Sequence, residues 1–580
     1  MSKLNIDQKT ISNLFSDKRA DFLIPDYQRP YAWTRDECET LWDDLKSFAF
    51  PNDTSADFDS ENDEYFLGPI VTFKNSDGKQ EIIDGQQRLT TVMLLLRAFY
   101  SKFETAQDDE IVETRKLIAR CIWKTDEVGR PVFDRLKIDS EVASDDDKDE
   151  FLTILETGKA DEKMRSRYAD TFRFFSEKII DFIDKTPMWT YYFPLRILNN
   201  VIMLPIEAES QDTALRIFST LNDRGLPLSD ADIFKSQFYK FYSQRGEKDA
   251  FIARWKVLEE GANATFRPMR GTPMDELFTR YMYYRRAKKG IKDTTTASLR
   301  DFFSADAYAI LKEEGTLADL EALLAFWQAV DAQQGFSDRV LRRLFVLNYA
   351  PNGMWTYLVS VWFLANRDGD GRLDEDAFYD FLSLITGFIF AYAIERPGVN
   401  ALRAPVYPEM VSIVRREPVT FSNRRFSARE IAERFHAYEF TNGRPVTKSI
   451  LAWWAFNDPA QPLMDIDTSI EIEHIYARKR AEVTPLSDRR NLESLGNKAL
   501  LEKRVNIRAA DYKFADKKRF YTGFTDGNGK ERAGTEIVEL RRLAAERSDF
   551  TETDIEERTD EIVATFVGFL DSCGLIAEEA

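Results

Sequence analysis

Residues 470–519 hold a set of side chains suited to activating a water beside a phosphate. His474 directly follows Glu473, Asn497 lies in the run Leu495-Gly496-Asn497-Lys498-Ala499-Leu500-Leu501, and Asn506 opens a Lys/Arg-rich stretch. Hydrolysing a phosphodiester needs a nucleophilic water near neutral pH, and imidazole is the side chain whose unperturbed pKa lies there. The scissile phosphate and the leaving oxygen need a cation, and carboxylate or amide oxygens suit Mg2+, which keeps several of its waters. These residue types give His474 the role of general base and make Glu473 and Asn506 metal ligands. Asn497 would brace the backbone around His474. A lone strand histidine more often only satisfies hydrogen bonds, but four such residues at this spacing favour a site.

The elements that must position these groups follow from the pattern. The alternating run Ile470, Ile472, His474 predicts a strand, Leu495 to Leu501 a second, and the stretch from Asn506 a helix. Strand, strand and helix, with an acid–His pair on the first strand and an Asn on the helix, is the assembly of a one-metal nuclease site of the ββα type.

A second constellation lies near the N-terminus. Gln80 to Asp84 reads as a strand, Gly85 as a tight turn, and Gln86 to Leu96 as a helix entering the core. Gln86, Gln87 and Arg88 fall in its first turn, where free N–H groups and the helix dipole favour anions. An arginine there is unfavourable to the dipole and makes better sense beside a phosphate. Asp84 at the strand end is placed to hold Mg2+ or orient a water. Arg29 sits among Tyr27, Tyr31 and Trp33, which are either core aromatics or contacts to a base or DNA backbone. In Asn222-Asp223-Arg224-Gly225, Arg224 is the residue with a phosphate role, whereas Ser229 and Asp232 form a capping box. No G-x-x-x-x-G-K-[ST] run exists, so nucleotide hydrolysis does not follow from the residues themselves.

The motifs Ile24 to Trp33, Phe66 to Ile70, Ile83-Asp84-Gly85-Gln86-Gln87-Arg88-Leu89-Thr90-Thr91 and Ile217 to Ser229, followed by Glu473-His474-Ile475, Leu495 to Leu501, Asn506 and Phe514 to Lys518, resemble those of GmrSD-like type IV restriction enzymes. The resemblance covers roughly residues 10–100, 200–240 and 465–520. It implies an N-terminal α/β domain similar to the ParB/sulfiredoxin fold, associated with nucleotide binding and hydrolysis, and a C-terminal HNH-type nuclease domain. One departure is Ala477, where the family pattern has Pro. The implied activity is NTP-regulated, metal-dependent endonucleolytic cleavage of modified foreign DNA such as phage genomes. Its cofactors would be Mg2+ or a similar divalent cation and a nucleoside triphosphate held by Asp84, Gly85, Gln86, Gln87, Arg88, Arg29 and Arg224. An alternative is a nucleotide-binding sensor or scaffold with a degenerate nuclease domain, which Ala477 and the acidic surface favour.

Composition bounds the rest. A chain of 580 residues is long enough for two to four domains. The expected division is a ParB-like domain over 1–240 with a helical insertion near 95–195, a helical linker domain over 241–440, and a nuclease domain over 441–580. The fold class is α+β, helix-rich and multidomain. A net charge of −19 argues against nonspecific DNA binding by the whole surface. Residues 478–519 run against it, with 13 Lys/Arg against 6 Asp/Glu. The cysteines Cys38, Cys121 and Cys573 form no C-x-x-C pair, which speaks against a zinc knuckle or a disulfide framework and suits a reducing cytoplasm. The first residues carry no apolar core of a signal peptide. Phe381 to Ile394 is expected as a buried helix and not a membrane span. His436 is expected at the edge of the core. The expected partners are DNA and a nucleotide, with a second copy of the chain left open and no membrane. Asn366 to Gly371 mimics the start of a calcium loop, but Ala377 stands where the bidentate Glu is required.

Overall fold

A computed structural model of the chain describes residues 5–6, 8–18, 20–142, 147–210, 213–214, 217, 229–398, 400–509 and 513–578. The fold is α+β, with 59% helix and a mixed sheet, which makes helices the main packing elements. It divides into two compact units, Met1–Val257 and Leu258–Ala580. The division falls inside the helix Lys248–Thr265. The second unit takes in both the helical stretch and the residues from 441 onward, which the sequence pattern had divided between two domains.

The first unit is built on a seven-stranded sheet. Its strands are β1 (Asn5–Ile6), β2 (Lys9–Thr10), β3 (Phe22–Ile24), β4 (Tyr65–Lys74), β5 (Gln80–Asp84), β8 (Ile138–Ser140) and β9 (Val201–Ala208); β6 (Trp123–Thr125) and β7 (Pro131–Leu136) form a separate hairpin. The spatial order is β1-β9-β4-β5-β3-β8, with β2 also on β9. β4 and β5 pair antiparallel, while β4–β9, β3–β5 and β3–β8 are parallel. Side chains alternate across each strand. Ile70 and Ile82 therefore enter one core with the helices between β5 and β9, while Val71, Phe73 and Ile83 enter a smaller core on the other face with Tyr27 and Ile206. Burial on both faces explains why β5 carries two adjacent apolar residues. The inserted segment is mostly helical, as its pattern implied, but it also contributes β8 to the sheet. Helix α1 (Gln86–Phe103) begins at Gly85 and is buried on nearly every side.

In the second unit the helices needed here are α2 (Asp338–Leu347), α3 (Met354–Asn366), α4 (Glu375–Glu395), α5 (Pro445–Asn457), α6 (Lys503–Ala509), α7 (Phe514–Thr522) and α8 (Glu552–Ser572). α4 is long and apolar enough to cross a membrane by composition, but 72% of its apolar window is buried among its neighbours α2, α3, α5 and α8. Its Phe388 stacks on Phe421 at 3.7 Å. Asn366 to Gly371 is a turn whose Asp368 carboxylate accepts from the N–H of Asp370 and Arg372. His436 is more exposed than expected, with 45% of its side chain open, and lies 3.8 Å from Asp560.

The strands β10 (Ile470–His474) and β11 (Lys498–Glu502) pair antiparallel, placing His474 opposite Lys498. The second strand starts three residues later than its apolar pattern suggested. Leu495–Asn497 is instead a 3-10 turn pressed against α8, where a Cβ on Gly496 would lie 1.8 Å from the Ile555 carbonyl oxygen. Asn506 does not open the following helix but sits inside α6.

Candidate active site on the hairpin and candidate anion site at a helix start

Lys498 is fully buried, and its three N–H bonds find three acceptors. Its Nζ lies 2.9 Å from His474 Nε2, 2.7 Å from Glu493 Oε2 and 2.8 Å from Asn442 Oδ1. Glu493 Oε1 also lies 3.4 Å from His474 Nε2. His474 is 9% exposed. Burial, reinforced by the charge of Lys498, pushes its pKa down to about 4, against the opposing pull of Glu493. The imidazole is therefore neutral at pH 7. Nε2 has two competing partners. The ammonium suits an Nδ1–H tautomer, whereas the carboxylate suits Nε2–H and leaves Nδ1 as the basic atom. Burial alone would raise Glu493, but Lys498 and His474 hold its carboxyl below the usual range.

The chain around His474 is fixed from both sides. Asn497 is fully buried; its Oδ1 accepts from Tyr476 N at 2.7 Å, and its Nδ2 donates to the carbonyls of Tyr476 at 3.2 Å and Leu492 at 3.0 Å. Arg558 on α8 gives Nη1 to the carbonyls of Leu495, Gly496 and Lys498 at 3.0, 2.8 and 2.8 Å. Thr559 accepts from Gly496 N at 3.0 Å. Asn497 thus holds backbone and carries no reacting proton. Ala477 has φ −64°, the value proline imposes, so losing the family's Pro leaves the local backbone path unchanged.

Glu473 lies on the other face of β10, because neighbouring strand residues point oppositely. It is 4% exposed. Its Oε1 accepts from Lys517 Nζ at 2.7 Å and Tyr521 OH at 2.6 Å, and Lys517 also donates to the His474 carbonyl at 2.6 Å. Asn506 donates to Glu471 Oε2 at 2.8 Å. Glu473, His474 and Asn506 are therefore brought to one hairpin and its helix but have separate partners. A carboxylate neutralised by a buried ammonium does not fit as ligand to a hydrated Mg2+. Among the described residues, no group of three or more His, Cys, Asp and Glu side chains is placed to hold a metal. The roles of Lys498, Glu493, Lys517, Tyr521 and Arg558 escaped the sequence reading. Lys498 and Lys517 fell within the basic run 478–519, which looked like a surface for DNA.

The second constellation sits at the β5–α1 junction. Gly85 has φ +94°, a left-handed conformation, and a Cβ there would lie 3.2 Å from the Pro69 carbonyl. The first helical bond runs from Leu89 N to Gly85 O at 2.9 Å. The N–H groups of Gln86, Gln87 and Arg88 thus precede the intrahelical ladder. The side chains of Gln86 and Gln87 are engaged elsewhere. Gln86 Nε2 donates to Arg29 O at 3.0 Å; Gln87 Oε1 accepts from Ala32 N at 2.7 Å, and its Nε2 donates to Pro30 O at 3.2 Å. They staple residues 29–32 over the junction and do not reach outward. Gln86 Oε1 is buried without a partner among the described residues. Arg88 pairs with Asp84 at 3.3 Å and crosses Gly68, where a Cβ would lie 1.8 Å from its Nη1. Burial raises the Asp84 pKa, opposed by Arg88, by the Gly85 N–H and by Arg29. Arg88 and Arg29 thus act on the Asp84 carboxylate beside the helix start. Arg224 lies outside the described residues. Tyr27 and Tyr31 are buried, the latter with its hydroxyl 2.7 Å from Thr91 Oγ1. Ser229 and Asp232 form the expected capping box.

Residues 11–239 match the family model described as the N-terminal domain of GmrSD restriction endonuclease. Residues 421–565 match the one described as the C-terminal domain of GmrSD restriction endonucleases. No curated protein matches the chain.

Proposed function

The chain belongs to the GmrSD-like family of type IV restriction endonucleases, and from that premise we propose that it is an NTP-regulated, metal-dependent nuclease acting in the cytoplasm on modified foreign DNA such as phage genomes. A restriction endonuclease has DNA as its substrate. The observation that carries the reading is His474. It is a neutral imidazole at a strand end, oriented through Nε2 by Lys498 and Glu493, on a turn that Asn497 and Arg558 clamp. The unprotonated imidazole is the group suited to accept the proton of the attacking water. The strand–strand–helix arrangement supports an HNH-type fold in this unit. The mixed sheet with Gly85 at a helix start supports a ParB/sulfiredoxin-like fold in the first. The divalent cation stays a requirement to be measured; the Lys517 ammonium on Glu473 argues against that carboxylate as its ligand.

Arg88 and Arg29, with Asp84 beside them, would hold the triphosphate. Nucleotide state in the first unit would govern cleavage by the second. The test is cleavage of modified phage DNA against unmodified plasmid, with Mg2+ and each NTP in turn, by wild type and His474→Ala. Expected is NTP-dependent cutting of modified DNA that His474→Ala abolishes while NTP hydrolysis persists. Hydrolysis without cutting under every condition would replace the reading with a nucleotide sensor carrying a degenerate nuclease domain.

A further inference from the structure

A cleft in the second unit, between α2, α3, α4 and the end of α8, contains a largely buried arginine with no hydrogen-bond or ion-pair partner among the described residues. Arg343 on α2 is 8% exposed. Each other buried arginine of this unit has an acceptor: Arg280 has Glu276, Arg285 has Glu313, Arg286 has the Asp293 carbonyl and Arg558 has Glu539. Arg343 has no hydrogen bond or ion pair among the described residues. Its guanidinium is met only by the rings of Phe569 at 4.8 Å and Tyr379 at 5.7 Å. Ring faces attract a cation but do not replace the oxygen acceptors its N–H groups would otherwise meet. A second group in the same wall is also unsatisfied. Ser383 Oγ is buried without a partner among the described residues, whereas Ser360 on α3 and Thr386 on α4 bond back to their own helices. Arg343 and Ser383 both line a cavity of about 710 Å3, a size that small-molecule sites have.

The walls say what kind of molecule fits. Trp362 and Phe381, stacked at 4.1 Å, give one apolar side. Asp380 lines the cavity and is exposed, so one positive and one negative group face it. A single guanidinium beside a carboxylate favours a monoanion over a phosphate dianion. A planar carboxylate matches the guanidinium fork with two parallel bonds. We propose that this cleft binds a small organic carboxylate, its head on Arg343 and Ser383 and its apolar body against Trp362 and Phe381. The site is separate from the hairpin and from the β5–α1 junction, and does not depend on the nuclease reading.

Cys573 lines the same cavity and is partly exposed, while Cys38 and Cys121 are buried. Iodoacetamide should therefore alkylate Cys573 first in the full-length protein, with the labelled peptide quantified by mass. Benzoate is expected to slow that alkylation saturably, by about fivefold or more, with benzyl alcohol and inorganic phosphate ineffective over the same range. Arg343→Met should weaken the benzoate effect roughly tenfold or more, and Arg343→Lys, which keeps the charge and the fold, should weaken it less. No protection by benzoate would overturn the proposal, as would equal protection by benzyl alcohol or phosphate. Protection unchanged in Arg343→Met would do the same. If Arg343→Met does not fold, Arg343→Lys decides, and undiminished benzoate protection in it counts against the site.

Discussion

The pKa of His474 is set by where it is buried. Dehydration and the Lys498 ammonium disfavour its charged form, and only Glu493 opposes them. Cleavage by wild type should therefore hold its plateau well below the usual histidine range, falling only as pH nears about 4. Lys498→Met removes a charge that lowers the imidazole, so its acid limb should move to higher pH in a pH–rate profile. An unmoved limb would show that Lys498 does not tune the base. Stability carries the same sign. Between the usual pKa of histidine and about 4, the unfolded chain takes up a proton that the folded chain refuses. Wild type should thus lose stability as pH falls through that window, by up to about 1.4 kcal/mol per pH unit, relative to His474→Gln. Denaturant melts of the two proteins across the window measure the difference.

At the scale of the element, the hairpin works because a turn fits under a helix. Gly496 allows Leu495–Asn497 to touch α8, where Arg558 and Thr559 take its carbonyls and N–H. Gly496→Ala puts a methyl into the Ile555 carbonyl. The backbone must shift, at a cost of roughly 1–3 kcal/mol. Cleavage should fall with it, because Asn497 and Tyr476 move together, while NTP hydrolysis in the other unit should not. Thermal unfolding and the two activity assays separate these outcomes. Both the L-G-N motif and the basic helix were legible in the sequence, but their purpose was not. Lys517 reads as a DNA-facing charge until α7 turns it inward onto Glu473. Spacing alone could not reveal that, because adjacent residues Glu473 and His474 look like partners in one dimension and face opposite sides of a strand.

For the whole molecule, net charge and local charge must be weighed together. The 13 Lys/Arg of residues 478–519 suggested a basic face. Among the described residues at least seven of them, Arg478, Arg480, Arg490, Lys498, Lys503, Arg504 and Lys517, lie within 4.0 Å of a carboxylate. Six at most remain for phosphates from this stretch. With an overall charge of −19, DNA affinity should fall with salt no more steeply than a log–log slope of about −5. Binding isotherms at several salt concentrations check this. A slope near −10 would mean that the internal pairs open to meet DNA or that other basic regions join.

The sequence by itself determined the family, the two motif regions and their order, the strand–strand–helix layout around His474, and the turn at Gly85. All of these are local patterns: alternation, glycine at a left-handed position, and short motifs whose residues are neighbours along the chain. Only the tertiary structure decided the partners of each functional group. Arg558, Glu493 and Lys517 reach their targets from other segments, so no spacing rule links them to His474. The same holds for Arg343, an ordinary helical arginine in the sequence, which lines a cleft without a hydrogen-bond partner among the described residues only once four separate segments close around it.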